Sequence, residues 1–307
     1  MPDLLIVGAG PAGVSAALRA RALELSVLLI DAGDAPGGQL HWVHFHPHDV
    51  PGFEAGEGPA LASVFARQLA QAAVPLRMQA PAEALEPAPG AGGGCVVRLT
   101  GGERLEAGAV LVATGVRRRR LDVPGGHELE GAGVSYSATG DLQRLAGRRV
   151  AIVGGGDAAF ENALILAGAG SEVTLLVRGE ARARPEFVAR VRADARITVR
   201  PRTRVLAVLG EDSVSGVRVA GSAGESELPV EALVVKTGVV PNSEWCAGAV
   251  ALDGDGYVRV DGLCATSSPG VWAAGDITRP LPLSIPVALG QGAQAAATIR
   301  TELRRGR

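Results

Sequence analysis

Cysteine, aromatic side chains, uncompensated charge and long apolar runs are all scarce in this sequence. Among 307 residues there are 3 cysteines, Cys95, Cys246 and Cys264. No two of them stand close enough for a Cys-x-x-Cys pair, and an odd, sparse set suits a reducing compartment better than a disulfide-stapled scaffold. Aromatic residues make up 3%, a habit of composition that carries no functional signal. The formal net charge is -2, so no global field draws the chain to nucleic acid or to a membrane. No apolar run reaches the roughly 18 residues of a membrane span. Strand-like residues begin at Leu4, which leaves no room for a secretory leader. The expectation is a soluble cytoplasmic protein with no nucleic-acid or membrane partner and no resident metal.

The chain is long enough for about two domains at roughly 100–200 residues each. With 47% hydrophobic residues it can bury real cores. The opening segment reads strand, tight glycine turn, helix, strand. Leu4–Val7 is a short, wholly apolar run, as a strand buried on both faces must be. Helical spacing follows from Ala12 to about Leu25, then a second apolar run, Val27–Ile30, ending in Asp31. The same unit returns with a strand at Val150–Val153, a helix at about Ala158–Ala167 and a strand at Val173–Val177. A lone Gly-x-Gly-x-x-Gly is weak, but two in full strand–turn–helix–strand context are a strong signal. Between and after them stand hairpin strands at Cys95–Thr100 and Arg104–Leu105, with a loose turn at Gly90–Gly94. Two apolar strands end in Thr-Gly, and a small-residue helix runs from about Pro286 to Leu303.

The glycines have distinct tasks. In Gly8-Ala9-Gly10-Pro11-Ala12-Gly13 the first makes the turn, the second admits a pyrophosphate to the backbone, and the third lets the helix pack on the strand. Free N–H groups and the partial positive charge of the helix start then face the phosphates. Asp31 lies at the spacing of a ribose-binding acid. In the second loop, Gly154 and Gly156 are followed by Asp157 and Ala158 in the region of the usual third glycine. After the next strand comes Arg178, where NAD sites more often carry an acid. An arginine there pairs with a ribose 2′-phosphate, which favours NADPH and leaves NADH open. The other reading of Arg178, Arg182 and Arg184 is a solvated basic turn.

The ordered set GAGPAG, GGQL, PGF, VATG, GGGDAA and AAGD resembles the low-molecular-weight thioredoxin reductases over nearly the whole chain. The resemblance implies an α/β fold of two Rossmann-like, three-layer dinucleotide-binding domains. The NAD(P)H-binding domain, residues 116–246, would be inserted into a split FAD domain of residues 1–115 plus 247–307. It implies FAD and NADPH as cofactors and a homodimer. It places Gly38, Gln39 and Leu40 by the flavin, with Asp49, Thr114 and Gly115. It gives Gly275 and Asp276 to the ribityl chain, where a carboxylate can accept from a hydroxyl.

One departure outweighs these matches. Where the family has Cys-Ala-Thr-Cys-Asp, this chain has Ser137-Ala138-Thr139-Gly140-Asp141. Disulfide exchange needs one thiolate to attack and another to resolve, and serine and glycine do neither. Asp141 keeps the position of the family's acid, either in a catalytic role or as a helix cap. His41, His44, His46 and His48 follow GGQL directly. His44 and His46 are the candidates for touching flavin or acceptor; metal ligation and an ordinary loop are the other readings. Leu283-Ser284 replaces the family's Arg-Gln before the last helix. Arg117–Arg120 is either a solvated face or a docking patch for an acidic redox protein.

These observations imply an FAD-dependent NAD(P)H oxidoreductase whose acceptor is a ferredoxin, a flavodoxin or a small oxidant. A low-molecular-weight disulfide reductase of the bacillithiol type is an alternative, opposed by Ala12 where that relative carries a cysteine. A flavin or nucleotide sensor without turnover is a third.

Overall fold

The computed structural model describes residues 1–86 and 94–305. The turn expected at Gly90–Gly94 therefore lies, but for Gly94, outside the described residues. The chain forms two compact units, Met1–Arg117 with Val240–Arg307, and Arg118–Val239. In sequence the second unit interrupts the first.

Each unit holds a five-stranded parallel sheet. In the first the order is Val271–Ala273, Ala109–Val112, Leu4–Val7, Val27–Ile30, Leu76–Arg77. In the second it is Val134–Ser135, Ala232–Val235, Arg149–Val153, Glu172–Leu176, Ile197–Arg200. The two orders correspond strand for strand. In both, the strand feeding the glycine loop is central, the strand after its helix lies on one side, and the strand ending in Thr-Gly lies on the other.

Alternation along each central strand divides three layers. In the first unit Leu4, Ile6, Leu29 and Leu111 pack with Ala12, Ala16, Ala295 and Ile299 on the helical side. Leu5, Val7, Val110 and Val112 pack with Leu85, Val97 and Leu99 of an antiparallel sheet, Ala82–Glu86, Cys95–Leu99 and Arg104–Ala107. The second unit repeats the scheme. Val150, Ile152 and Val173 meet Phe160 and Leu166 of a helix, while Ala151, Val153 and Leu176 meet Val205, Val217 and Val219. Those valines belong to a second antiparallel sheet, Arg204–Leu209, Gly216–Gly221 and Gly224–Leu228. Because both faces are covered, Leu4–Val7, Val27–Ile30, Ala109–Val112 and Ala232–Val235 are apolar without a break.

The first helix runs Pro11–Ala22, starting on the proline whose fixed φ suits a first turn. It stops short of Leu25 because Glu24 turns left-handed, with φ 63°. The helix of the second loop is Asp157–Gly168 and the last helix Ile285–Arg305. The first and last helices cross very closely. A Cβ on Gly292 would stand 2.0 Å from the Ala12 carbonyl oxygen. No helix among the described residues is long and apolar enough to cross a membrane.

Candidate functional site

In the first unit four sequence-distant glycine segments meet. Gly8 has φ +112°, and a Cβ on it would lie 2.2 Å from the Ala113 carbonyl oxygen. A Cβ on Gly13 would lie 1.7 Å from the Gly8 carbonyl oxygen. Both are glycine because backbone passes there. Gly10 is different: it has an ordinary extended backbone, φ -74° and ψ -175°, and nothing stands within 4 Å of its Cβ position. Gly38, with φ +54°, closes on it, its own Cβ position 3.1 Å from the Gly10 Cα. The Gly37 amide donates to the Ala9 carbonyl at 2.8 Å. Gly275, with φ +81°, packs on Ala12, its Cβ position 2.8 Å from the Ala12 Cβ. The structure thus brings together Gly8–Gly13, Gly38, Thr114 and Gly275. Leu40 is buried behind them, while Gln39 and Asp49 are exposed.

The carboxylates of this site do different work. Asp31 accepts from the Ala9 amide at 2.6 Å and from the Gly33 amide at 2.7 Å. It fixes the glycine loop and keeps lone pairs for a further donor. Burial raises the pKa of Asp276 above the ordinary aspartate value, so its charged form lacks solvation that hydroxyl donors would restore. Two residues escaped the sequence reading. Asn242 donates to the Thr114 carbonyl at 2.8 Å and accepts, at its own carbonyl, the Thr114 hydroxyl at 2.8 Å. Its amide donates to the Gly115 carbonyl at 3.0 Å. Gln291 accepts from the Gly275 amide at 2.8 Å. The only sequence signal for Asn242 was the Pro-Asn that ends the second Thr-Gly strand.

The second loop repeats the first with one change. A Cβ on Gly154, at φ +151°, would lie 2.3 Å from the Lys236 carbonyl oxygen, and Gly156 is open like Gly10. The buried residue in the place of Gly13 is Ala159, three residues after Gly156, whereas Ala158 is exposed. A Cβ on Gly154 would be 3.1 Å from the Ala159 Cβ. Asp157 accepts from the Arg184 amide at 2.7 Å and pairs with its guanidinium at 2.9 Å. The Arg182 amide donates to the Gly155 carbonyl at 2.7 Å. The loop Arg182–Arg184 is thereby pinned to the glycine turn, and Arg178 stands exposed beyond the strand Glu172–Leu176.

At Ser137-Ala138-Thr139-Gly140 the chain makes a turn in which the Ser137 hydroxyl accepts from the Gly140 amide at 3.1 Å. The buried Ala138 donates its amide to Asn162 at 3.1 Å. Asp141 stands where a helix cap would, yet its side chain caps nothing. It accepts instead from the Ser135 hydroxyl at 2.6 Å and faces Arg144 at 3.7 Å. All three cysteines are buried, and no disulfide joins them. Burial pushes the thiol of Cys246 up to about 12 and that of Cys264 to about 11.

The histidines are spread among separate partners. His41 Nε2 donates to the Pro36 carbonyl at 3.1 Å, and His46 Nδ1 donates to the Gly56 carbonyl at 2.9 Å. His46 also stacks on Phe53, with centroids 5.5 Å apart, and meets the edge of His48 at 4.6 Å. His44 lies 3.9 Å from Glu57. Among the described residues no three His, Cys, Asp or Glu side chains come together as a metal site. Acids meet part of the charge of the run Arg117–Arg120. Arg117 pairs with Glu244 at 2.5 Å, Arg120 pairs with Glu130 at 3.3 Å, and Arg118 is half-buried under the influence of Asp141.

Residues 2–292 match the family described as pyridine nucleotide-disulphide oxidoreductase. The thioredoxin reductase of Mycolicibacterium smegmatis is 36% identical over 300 residues, covering 96% of this chain and 94% of that protein. The F component of alkyl hydroperoxide reductase from Pseudomonas putida is also 36% identical, over 307 residues and 96% of this chain, but the chain spans only 56% of its length. Among solved structures, Lactococcus lactis thioredoxin reductase superposes with a TM-score of 0.87 at 26% identity, covering 99% of this chain and 100% of that one.

Proposed function

Since the chain belongs to the pyridine nucleotide-disulphide oxidoreductase family, with two Rossmann-like dinucleotide-binding domains of the thioredoxin reductase kind, we propose that it uses FAD to move electrons from NAD(P)H to an acceptor other than thioredoxin. In this reading the unit Met1–Arg117 with Val240–Arg307 holds FAD, and the unit Arg118–Val239 holds NAD(P)H, with NADPH preferred. A homodimer is part of the same reading.

The residues of the first unit fit FAD. Gly10 leaves space at its Cβ position beside a helix start, where a pyrophosphate meets amides and no side chain. Asp276 is a desolvated carboxyl that lacks the donors a ribityl chain carries. Asp31 retains acceptor capacity toward ribose. Bound there, the flavin supplies the two-electron redox chemistry, and the protein supplies position and electrostatics.

The observation that carries the acceptor claim is the turn at Ser137–Gly140. It presents a serine hydroxyl hydrogen-bonded to a backbone amide, with no sulfur in it. No cysteine elsewhere takes over. All three are buried, and a thiol at about 12 or about 11 yields almost no thiolate at neutral pH. Asp141 retains a carboxylate held by Ser135, available to hold or pass a proton beside this turn. The test is a coupled assay with NADPH, thioredoxin and a disulfide reporter, run beside anaerobic bleaching of the flavin by NADPH and by NADH. The expected outcome is flavin bleaching without thioredoxin turnover above free FAD. Thioredoxin-dependent turnover would refute the acceptor claim; failure of both nucleotides to bleach the flavin would favour a sensor.

A further inference from the structure

The carboxyl edge of the second sheet carries a lysine to which the proposed electron path gives no task. Lys236 is the first residue beyond the strand Ala232–Val235, and its amide donates to the Val153 carbonyl at 2.8 Å, where the second glycine loop begins. In the first unit the corresponding residue is Ala113, whose amide donates to the Val7 carbonyl at 2.8 Å. Each presents its carbonyl oxygen to the first glycine of its loop, at 2.3 Å and 2.2 Å from the Cβ positions of Gly154 and Gly8. Where one unit is content with a methyl group, the other sends out an ammonium. It runs along the sheet edge and Nζ donates to the Tyr136 carbonyl at 2.7 Å, next to the Ser137–Gly140 turn. That bond uses one of three N–H groups.

The place has a meaning in open parallel sheets. Ligands lie outside the carboxyl ends of the strands, in the crevice where the strand order reverses. Here that crevice opens between Arg149–Val153 and Ala232–Val235, because the chain winds away from the central strand in both directions. Three adjacent strand ends carry in succession Arg178, the loop Gly154–Gly156, and Lys236. With a 2′-phosphate at Arg178 and the pyrophosphate at the loop, the remaining half of a dinucleotide lies over Lys236. We infer that Lys236 is a binding residue for the nicotinamide half of NAD(P)H, donating to the oxygens of its ribose phosphate. The inference rests on the reading of this unit as the NAD(P)H domain.

The charges around the amine make its role visible to pH. Burial and the neighbouring Arg118 push Lys236 down to about 8, and Glu161 of the helix Asp157–Gly168 acts against them. Asp141 acts on Arg118 in turn, and the Tyr136 phenol is engaged with Glu130 at 2.8 Å. At pH 7 the amine is mostly an ammonium ready for a phosphate. At pH 9.5 it is mostly neutral.

The experiment is calorimetric titration of the FAD-loaded protein with NADP+ and with 2′,5′-ADP, which lacks the nicotinamide half. Lys236→Met is expected to weaken NADP+ roughly tenfold at pH 7, as loss of a charge-assisted hydrogen bond does, and to leave 2′,5′-ADP unchanged. Lys236→Arg should keep NADP+ affinity. In the unsubstituted protein the advantage of NADP+ over 2′,5′-ADP should shrink between pH 7 and 9.5, and in Lys236→Arg it should not. The inference is overturned if Lys236→Met binds NADP+ as before, or if it weakens both ligands alike, the mark of a merely structural role. Binding of neither ligand by the unsubstituted protein would sink the NADP(H) reading itself.

Discussion

Gly10 and Gly13 lie three residues apart at the start of one helix, and the structure assigns them opposite failures. At Gly10 the backbone sits at φ -74° and ψ -175°, a region any L-residue adopts and β-branched ones favour. Nothing stands within 4 Å of its Cβ position. Gly10→Val should therefore fold. A poorer helix start costs about 0.5–1 kcal/mol, and a stiffer unfolded chain returns about 0.4–1 kcal/mol. Flavin-free stability should stay within about 1 kcal/mol of the unsubstituted protein. The valine methyl groups, however, occupy the space a pyrophosphate needs. Loss of two amide bonds to a charged phosphate, at about 1.5–3 kcal/mol each, predicts at least a hundredfold weaker FAD binding. Gly13→Ala reverses the pattern. Its Cβ would lie 1.7 Å from the Gly8 carbonyl oxygen, an overlap that backbone must relieve, at about 1–3 kcal/mol or more. The assay pairs the flavin-to-protein absorbance ratio with urea melts of the flavin-free forms. A Gly10→Val protein that purifies yellow with full flavin refutes the site assignment. One that cannot fold without flavin refutes the claim of open space.

Three further outcomes are expected. Arg178→Ala should lose its preference for NADPH over NADH by about ten- to a hundredfold, the worth of a charge-assisted phosphate pair; stopped-flow flavin reduction with both nucleotides measures it, and equal rates before and after substitution leave Arg178 a surface charge. Burial raises the pKa of Asp276, so the contribution of this one carboxyl to flavin-free stability is full below the ordinary aspartate pKa and is lost as pH rises through the raised one. Asp276→Asn should then raise the flavin-free melting temperature at pH 7 more than at pH 4 while weakening FAD about tenfold or more, and a uniform shift with unchanged FAD affinity would count against this. His44→Ala or His46→Ala should alter flavin reoxidation by the acceptor with FAD content intact; normal reoxidation in both, with no metal by elemental analysis, would leave these residues a loop.

The parts legible in advance were those whose cause is local. Leu4–Val7 and Val150–Val153 are apolar without a break because each strand is covered on both faces, and Gly13 is forced by the Gly8 carbonyl of its own turn, whereas Gly8 and Gly154 meet the distant Ala113 and Lys236 carbonyls and were legible only through their place in the motif. What stayed hidden depends on how the chain folds back on itself. Asn242 clamps Thr114 across 128 residues, and its own neighbourhood gives only a Pro-Asn. The sheet ending in Gly224–Leu228 carries an exposed, polar last strand, so no alternation marked it. Asp141 sits before a helical turn and invites the reading of a cap. Only the fold brings Ser135 to it. Lys236 follows an apolar strand, where a lysine passes for a chain reaching solvent, and its meaning appears once the two units are aligned strand by strand.

The strands Val116–Arg118 and Val239–Pro241 lead into and out of the inserted unit, and they pair with each other. The Arg119 amide donates to the Gly238 carbonyl at 3.0 Å, and the Arg117 guanidinium to the Pro241 carbonyl at 3.2 Å. The inserted unit thus begins and ends at one spot, like a bead tied on a loop of thread. Cutting at that knot and closing it with a two-residue hairpin turn, Asn-Gly for its matching twist, removes the bead and leaves the thread continuous. Such a splice would leave a shortened chain whose remaining sheet keeps all five strands, and a new bead could be tied on at the same place.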